Sequence, residues 1–373
     1  MDSSVLAPLP EAPYAGQPLL QAGPVIFHPH LLYRFMYAEG IPAQANEKVS
    51  TVINEVDPGI GMEVGRHWRL DYTPSLHYYS SSLLRDTTDQ SVALNGATAY
   101  ENWTLGLSQR YATTSQPLIE TGAQTDVETY STALNATYSF NAKTSLQMGL
   151  NQDFQFVGQN ASSESLVDSR VWSTMDWLNY QFWPRFNLAF GLGGGYVDLS
   201  AGSSMSYEQV QGRLTWQVAD KLSLVVSAGY EEWQFLDVNT QDLVSPLFGA
   251  SLLYRPFAGT TLSLNAARSI MVSYIFNQVI ENTGVTGGIQ QRLFKKLLFD
   301  LTGGYSVASY EASAFGLALS REDHNLVLNA RLSVPFLKRG TVGTFFQANH
   351  NDSTVSAFRV STTQIGSDLD YRF

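Results

Sequence analysis

The chain has 373 residues, 12% of them aromatic and only 15% charged, with a formal net charge of −11 and no cysteine. Ordinary globular domains carry roughly 25% charged residues, so the deficit points to a surface that meets something other than water. The acidic balance argues against a nucleic-acid partner, the missing cysteines exclude disulfide frameworks and thiolate metal sites, and no apolar run approaches the roughly 20 residues a membrane helix needs.

The N-terminal stretch holds Pro8, Pro10, Pro13, Pro18 and Pro24. Proline fixes φ and lacks a backbone donor, so residues 1–23 read as an extended arm and regular structure starts near Pro24. In "VIFHPHLLYRFMY", Val25, Phe27, Leu31, Tyr33, Phe35 and Tyr37 share one face. His28, His30 and Arg34 share the other with the apolar exceptions Ile26, Leu32 and Met36. Glu55, Asp57 and Glu63 fall on the polar face of the next segment. In "WRLDYTPSLHYY", Trp68, Leu70, Tyr72, Leu76 and Tyr78 oppose Arg69, Asp71, Thr73, Ser75 and His77. "TSLQMGLNQDFQF" sets Leu146, Met148, Leu150, Phe154 and Phe156 against Gln147, Asn151, Asp153 and Gln155, with Gln152 as the exception. Period-two alternation of this kind is the mark of strands with one greasy and one wet face. Two segments resist phasing: "LVDSRVWSTMDWLNYQF" fits either phase, and "LSLVVSAGYEEW" starts apolar on both faces. "GLGGG" at 191–195 lies in an alternating run with no helix after it, which favours close packing or strand curvature over phosphate binding.

Short turn-like clusters, most with a basic residue, punctuate this pattern at 65–67, 101–102, 141–143, 183–185, 219–221, 256–259, 294–296 and 336–340. The step of roughly 35 to 43 residues suits two strands of about a dozen residues and one longer loop. Eight short turns and about nine longer loops give about 18 antiparallel strands, with 16 as the alternative count. Trp68, Trp103, Phe140, Trp183, Phe186, Trp216, Phe257, Phe294 and Phe336 all lie within a few residues of a short turn, at the level of an interfacial girdle. The expected fold is all-β: a transmembrane antiparallel up-and-down barrel over residues 24–373, closed because an open edge in hydrocarbon would leave backbone groups unpaired.

The last segment, "IGSDLDYRF", places Ile365, Leu369, Tyr371 and Phe373 at alternate positions, with Ser367 interrupting. It resembles the C-terminal recognition strand of bacterial outer-membrane proteins. That resemblance implies location in the bacterial outer membrane, with its lipid and its insertion machinery as partners. It also makes these four residues an assembly signal. Eight short turns against about nine longer loops put both termini on the short-turn side, which is periplasmic in such barrels, and the arm there is open to three roles: hanging in the periplasm, plugging the lumen or binding a partner. The stretches "GPVIFHPHLLYRFMY" and "DPGIGMEVGRHWRLDYTPSLHYYSSS" resemble the opening hairpins of β-barrel porins, among them those associated with exopolysaccharide and surface-sorting gene clusters.

His28, His30, Arg34, Glu55, Asp57, Glu63, Arg69, Asp71 and His77 are expected to line one wall of the lumen. Two imidazoles two residues apart on one face can serve a metal or a substrate, yet lumen residues paired around water explain the group better, and no nucleophile elbow or zinc-protease motif is present. No cofactor, metal site or catalysis is therefore expected. A passive channel for small hydrophilic solutes heads the functional readings. It is followed by an export conduit or scaffold that docks an envelope-complex partner through the N-terminal arm, and then by a barrel enzyme.

Overall fold

The computed structural model describes residues 20–44, 47–118, 123–158, 166–236, 242–273, 278–312 and 321–373. Among these run eighteen long strands: β1 (Val25–Gln44), β2 (Glu47–Val64), β3 (Trp68–Tyr79), β4 (Thr87–Tyr100), β5 (Trp103–Thr114), β6 (Val127–Ser139), β7 (Thr144–Val157), β8 (Ser169–Trp183) and β9 (Phe186–Leu199). The second half continues with β10 (Met205–Ala219), β11 (Leu222–Phe235), β12 (Leu243–Tyr254), β13 (Thr260–Val272), β14 (Gln278–Leu293), β15 (Leu297–Ala312), β16 (Arg321–Phe336), β17 (Gly340–Ser353) and β18 (Val360–Arg372). Each pairs antiparallel with its sequence neighbours, and β18 pairs with β1 from His30↔Arg372 to Glu39↔Thr363, so the sheet closes into a barrel of eighteen strands. The short turns fall at 65–67, 101–102, 140–143, 184–185, 220–221, 255–259, 294–296 and 337–339, where the sequence punctuation predicts them.

Residues 1–19 of the expected arm lie outside the described residues. Its last part is a strand and not a free extension: Leu20–Ala22 turns through Gly23, at φ +60°, and pairs with Val25–Phe27. It occupies the part of the β1 edge that β18 does not reach, next to Phe373, whose amide donates to the Pro29 carbonyl at 2.9 Å.

The ladder registers fix which side chain points where. On β7, Leu146, Met148, Leu150, Phe154 and Phe156 turn outward and Gln147, Asn151, Asp153 and Gln155 inward, and Leu150 is 53% exposed on the outer face. Aromatic rings form two outer belts. Near the short turns Trp103 meets Tyr138 at 4.8 Å, Phe182 meets Trp183 at 4.8 Å, and Trp183 meets Phe186 at 5.2 Å. Toward the longer loops Tyr111 meets Tyr130 at 4.8 Å, Phe154 meets Trp172 at 5.1 Å, and Trp172 meets Tyr196 at 6.1 Å. On β9 the belts are ten residues apart, from Phe186 to Tyr196, which is about 33 Å along the strand and about 25 Å across a membrane at a tilt of about 40°. Leucines such as Leu134, Leu178 and Leu188 fill the space between them.

The ambiguous segments resolve once neighbours are in place. On β8, Val171, Met175 and Trp177 point inward and Trp172, Leu178 and Tyr180 outward. Gly191, Gly193 and Gly195 of β9 face inward opposite them. A Cβ at Gly191 would lie 2.5 Å from the Met175 methyl and 2.7 Å from the Trp177 ring, and one at Gly195 would lie 2.5 Å from the Tyr207 ring. The glycines let large side chains lie flat on the wall, so the run serves close packing.

One outward position breaks the apolar band. Asp176 lies four residues from both Trp172 and Tyr180 and turns its carboxylate back to accept from the Gly149 amide at 3.3 Å and the Thr174 hydroxyl at 3.5 Å. A carboxylate at that depth loses hydration that these weak bonds do not restore. Asp176→Leu should therefore raise stability by about 1–2 kcal/mol, whereas Leu150→Arg should lower it by about 2–4 kcal/mol and Asn151→Arg should be nearly silent. The folded fraction in lipid across a urea series measures all three, and equal tolerance at Leu150 and Asn151 would mean the faces are reversed.

Candidate functional site

The nine residues expected on one wall all sit on the inner face of β1, β2 and β3, because the registers Arg34↔Glu55↔His77 and His28↔Gly61↔Asp71 carry the polar phase from strand to strand. Arg34 donates to both Glu55 oxygens, at 3.0 and 2.9 Å. Glu55 also lies 4.0 Å from His77 Nε2, and His77 Nδ1 is 3.7 Å from Asp89 of β4. The Gln116 amide ties the end of this series, 3.1 Å from His77 Nε2 and donating to Asp89 at 3.4 Å. Nearer the short turns, His30 Nε2 is 3.1 Å from the Thr73 hydroxyl, which donates to Asp71 at 3.0 Å. His28 reaches Glu63 at 3.7 Å, and Arg69 stands opposite Glu63 in the ladder.

Asp57 is buried beside Glu55 and Ser75 where the β2–β3 ladder is interrupted between Val56↔Leu76 and Ile60↔Tyr72. Pro58 and Pro74 face each other across that interruption. Neither has an N–H to give, so the ladder cannot run through them.

The row continues past β1, where the sequence reading did not follow it. Arg331 of β16 donates to both Asp368 oxygens of β18, at 2.6 and 3.0 Å. The intervening strand permits this because its inner residue is Gly343. A Cβ there would sit 2.9 Å from Asp368 Oδ1 and 3.1 Å from an Arg331 nitrogen. Asp300 stands opposite Arg331, and Asp368 opposite Arg34. Asp300, Arg331, Asp368, Arg34, Glu55, His77 and Asp89 thus follow one another from β15 through the β18–β1 closure to β4. A cavity of about 180 Å³ opens among Arg34, Asp300, Arg331, Phe345, Gln347 and Asp368. Strand phase in "RLSVPF" and "SDLDYRF" gives the inward direction of Arg331 and Asp368, while their pairing across β17 depends on register.

On the far wall Arg213 of β10 lies over the Trp177 ring at 4.1 Å and donates to Asn179 at 3.1 Å and Gln147 at 3.3 Å. Neutral acceptors and a ring face therefore hold it, opposite a wall dominated by carboxylates. Among the described residues no group of three or more His, Asp or Glu side chains is arranged to hold a metal ion.

The lumen is also narrowed. Pairing between β12 and β13 stops at Phe248↔Arg268, although β11–β12 continues to Trp233↔Leu243 and β13–β14 to Val272↔Val279. Sequence explains the stop. The Arg255 amide donates to the carbonyl of Lys221, the residue just before β11, so even-numbered residues of β12 address β13, and the next of these beyond Phe248 is Pro246, which has no N–H. Released from β12, the end of the β13–β14 hairpin folds inward. Val279, fully buried, packs with Ile270 and Val272 against Val197, Met205, Trp233 and Phe235 on the inner face of β9–β11. Arg268 pins the fold, donating to Glu281 at 2.6 Å and reaching Ser245 of β12 at 3.3 Å. No loop is long enough to suggest a constriction from sequence, and the structure supplies one from a hairpin end.

The chain's fold is similar to that of solved barrels. Acinetobacter baumannii OccAB3 matches over 93% of this chain and 99% of its own at 8% identity and a TM-score of 0.51. Pseudomonas aeruginosa OccK2 (OpdF), solved in complex with glucuronate, matches over 93% and 98% at 11% identity and a TM-score of 0.52. Pseudomonas aeruginosa OccK3 (OpdO) matches over 93% and 95% at 11% identity and a TM-score of 0.50. No family model and no curated protein matches the sequence.

Removal of the latch should be visible in the barrel itself. Arg268→Ala should lower stability by about 1–3 kcal/mol, the cost of leaving the partly buried Glu281 unpaired. It should also increase hydrogen exchange in β13 and β14 above Arg268. Unchanged exchange there would mean that the apolar packing alone holds the hairpin.

Proposed function

We propose that the chain is a bacterial outer-membrane channel that passes small hydrophilic solutes passively and favours cations. The observation that carries this reading is the barrel's two-sidedness: an outer apolar band between aromatic belts, and an inner wall crossed by the continuous row from Asp300 to Asp89. Barrels of 16–18 strands are wide enough to leave an aqueous passage. Side-chain carboxylates along such a passage raise the local cation concentration, and here Asp57, Asp89 and Glu55 are set into the wall. The similarity of the first hairpins to porins of exopolysaccharide and surface-sorting gene clusters supports the finer assignment to that type of barrel. The lipid-facing alternation of Ile365, Leu369, Tyr371 and Phe373 supports their reading by the insertion machinery, and the nine wall residues named above line the solute path.

Planar-bilayer recordings on the purified protein test the reading. Discrete conductance steps with a reversal potential displaced toward the cation equilibrium value are expected, with the displacement reduced in Asp57→Asn and the step size increased in Arg268→Ala. Absence of discrete steps both with and without residues 1–19 would defeat it.

A further inference from the structure

The short-turn rim has a charge of its own. Its eight turns hold nine of the chain's 22 Lys and Arg residues and only two of its 33 Asp and Glu residues, Glu101 and Asp220. A protein with a net charge of −11 thus presents a cationic ring at one end. Such a ring repels itself unless anions gather there.

A recess is formed in this ring. A cleft of about 530 Å³ opens between the 220–221 turn, the 255–259 turn and the end of β14, lined by Lys221, Arg255, Arg292, Gln290, Phe257 and Leu298 together with Asp220. Asp220 is engaged by Arg185 at 2.6 Å. Lys221 is held in place, its ammonium donating to the Pro256 carbonyl at 2.7 Å. None of the ion pairs among the described residues includes Arg255 or Arg292. Three cations therefore border one recess whose lone carboxylate already has another partner. Guanidinium groups present a planar fork that fits phosphate and carboxylate oxygens, and the volume falls within the roughly 300–1,000 Å³ of small-molecule sites. Phe257 and Leu298 give the recess an apolar side.

We propose that this cleft is a binding site for an oxyanion, a phosphate or carboxylate group, with Arg255 and Arg292 as the fork and Lys221 as the third cation. Two sources carry that chemistry at this depth: a soluble anion at the short-turn mouth, and the headgroup of an anionic phospholipid at the level of the neighbouring aromatic belt. The site does not depend on whether the barrel conducts.

The experiment uses the full chain, folded and heat-modifiable on gels, with two probes. Inorganic phosphate is titrated by calorimetry into protein in a neutral maltoside detergent, and phosphatidylglycerol retention is measured after exchange into phosphatidylcholine nanodiscs. Arg255→Gln/Arg292→Gln should weaken the response by about tenfold or more, and Lys143→Gln, on a distant turn, should leave it unchanged. Saturable phosphate binding lost in the double variant identifies a soluble-anion site. Phosphatidylglycerol retention lost in the same variant, without phosphate binding, identifies a headgroup site. If the double variant does not fold, Lys221→Gln and Arg255→Lys carry the same comparison. Equal behaviour of the wild type and the variants with both probes overturns the proposal.

Discussion

The constraint from which the rest of this structure follows is that hydrocarbon offers no partner to a backbone N–H or C=O. An unpaired group there costs several kcal/mol, so a sheet can span only if its first and last strands meet. Here they meet along ten register pairs between β1 and β18. Closure then divides every strand into an outward and an inward phase. Charge scarcity, aromatic belts and a polar interior are consequences of that division and not separate features.

The same constraint accounts for the departures. Where Pro58 faces Pro74, and where Pro246 denies β13 a donor, the ladder opens and the polymer must place its freed groups elsewhere. At the first site the interior beside the interruption is polar, with Asp57 and Ser75 close by. At the second the freed hairpin end moves off the wall and buries its outward phase on the opposite inner surface, so an apolar face that would have met lipid becomes the contact that narrows the lumen. A single imino acid in the right phase thus accounts for where the hairpin end leaves the wall.

Much of this is legible in the sequence. The eight short turns announce themselves by their polar and basic residues, and alternation with few exceptions gives the phases of β1, β3 and β7, so the strand period places His28, Arg34, Asp71 and His77 on the polar faces. What could not be read depends on register, which links residues far apart in the chain. The Arg331–Asp368 pair needs Gly343 placed between them, and Gln116 joins His77 and Asp89 from beyond the strands. The phase of β8 is ambiguous in the sequence because Met175, Trp177, Trp172 and Leu178 are apolar on both sides, and the pairing with β7 and with the glycines of β9 decides it. The prolines up to Pro24 predict an extended arm to residue 23, yet Leu20–Ala22 finds an open edge on β1 and pairs.

The most direct test of a cylinder wetted by acyl chains outside and water inside is a spin-label accessibility scan along β7. The chain has no cysteine, so single labels can be placed at each residue from 146 to 155 without background. Collisions with oxygen should be high at Leu146, Met148, Leu150 and Phe154, and collisions with a water-soluble nickel complex should be high at Gln147, Asn151, Asp153 and Gln155. A scan with a period of 3.6 residues, or one in which both faces favour the nickel complex, would contradict it.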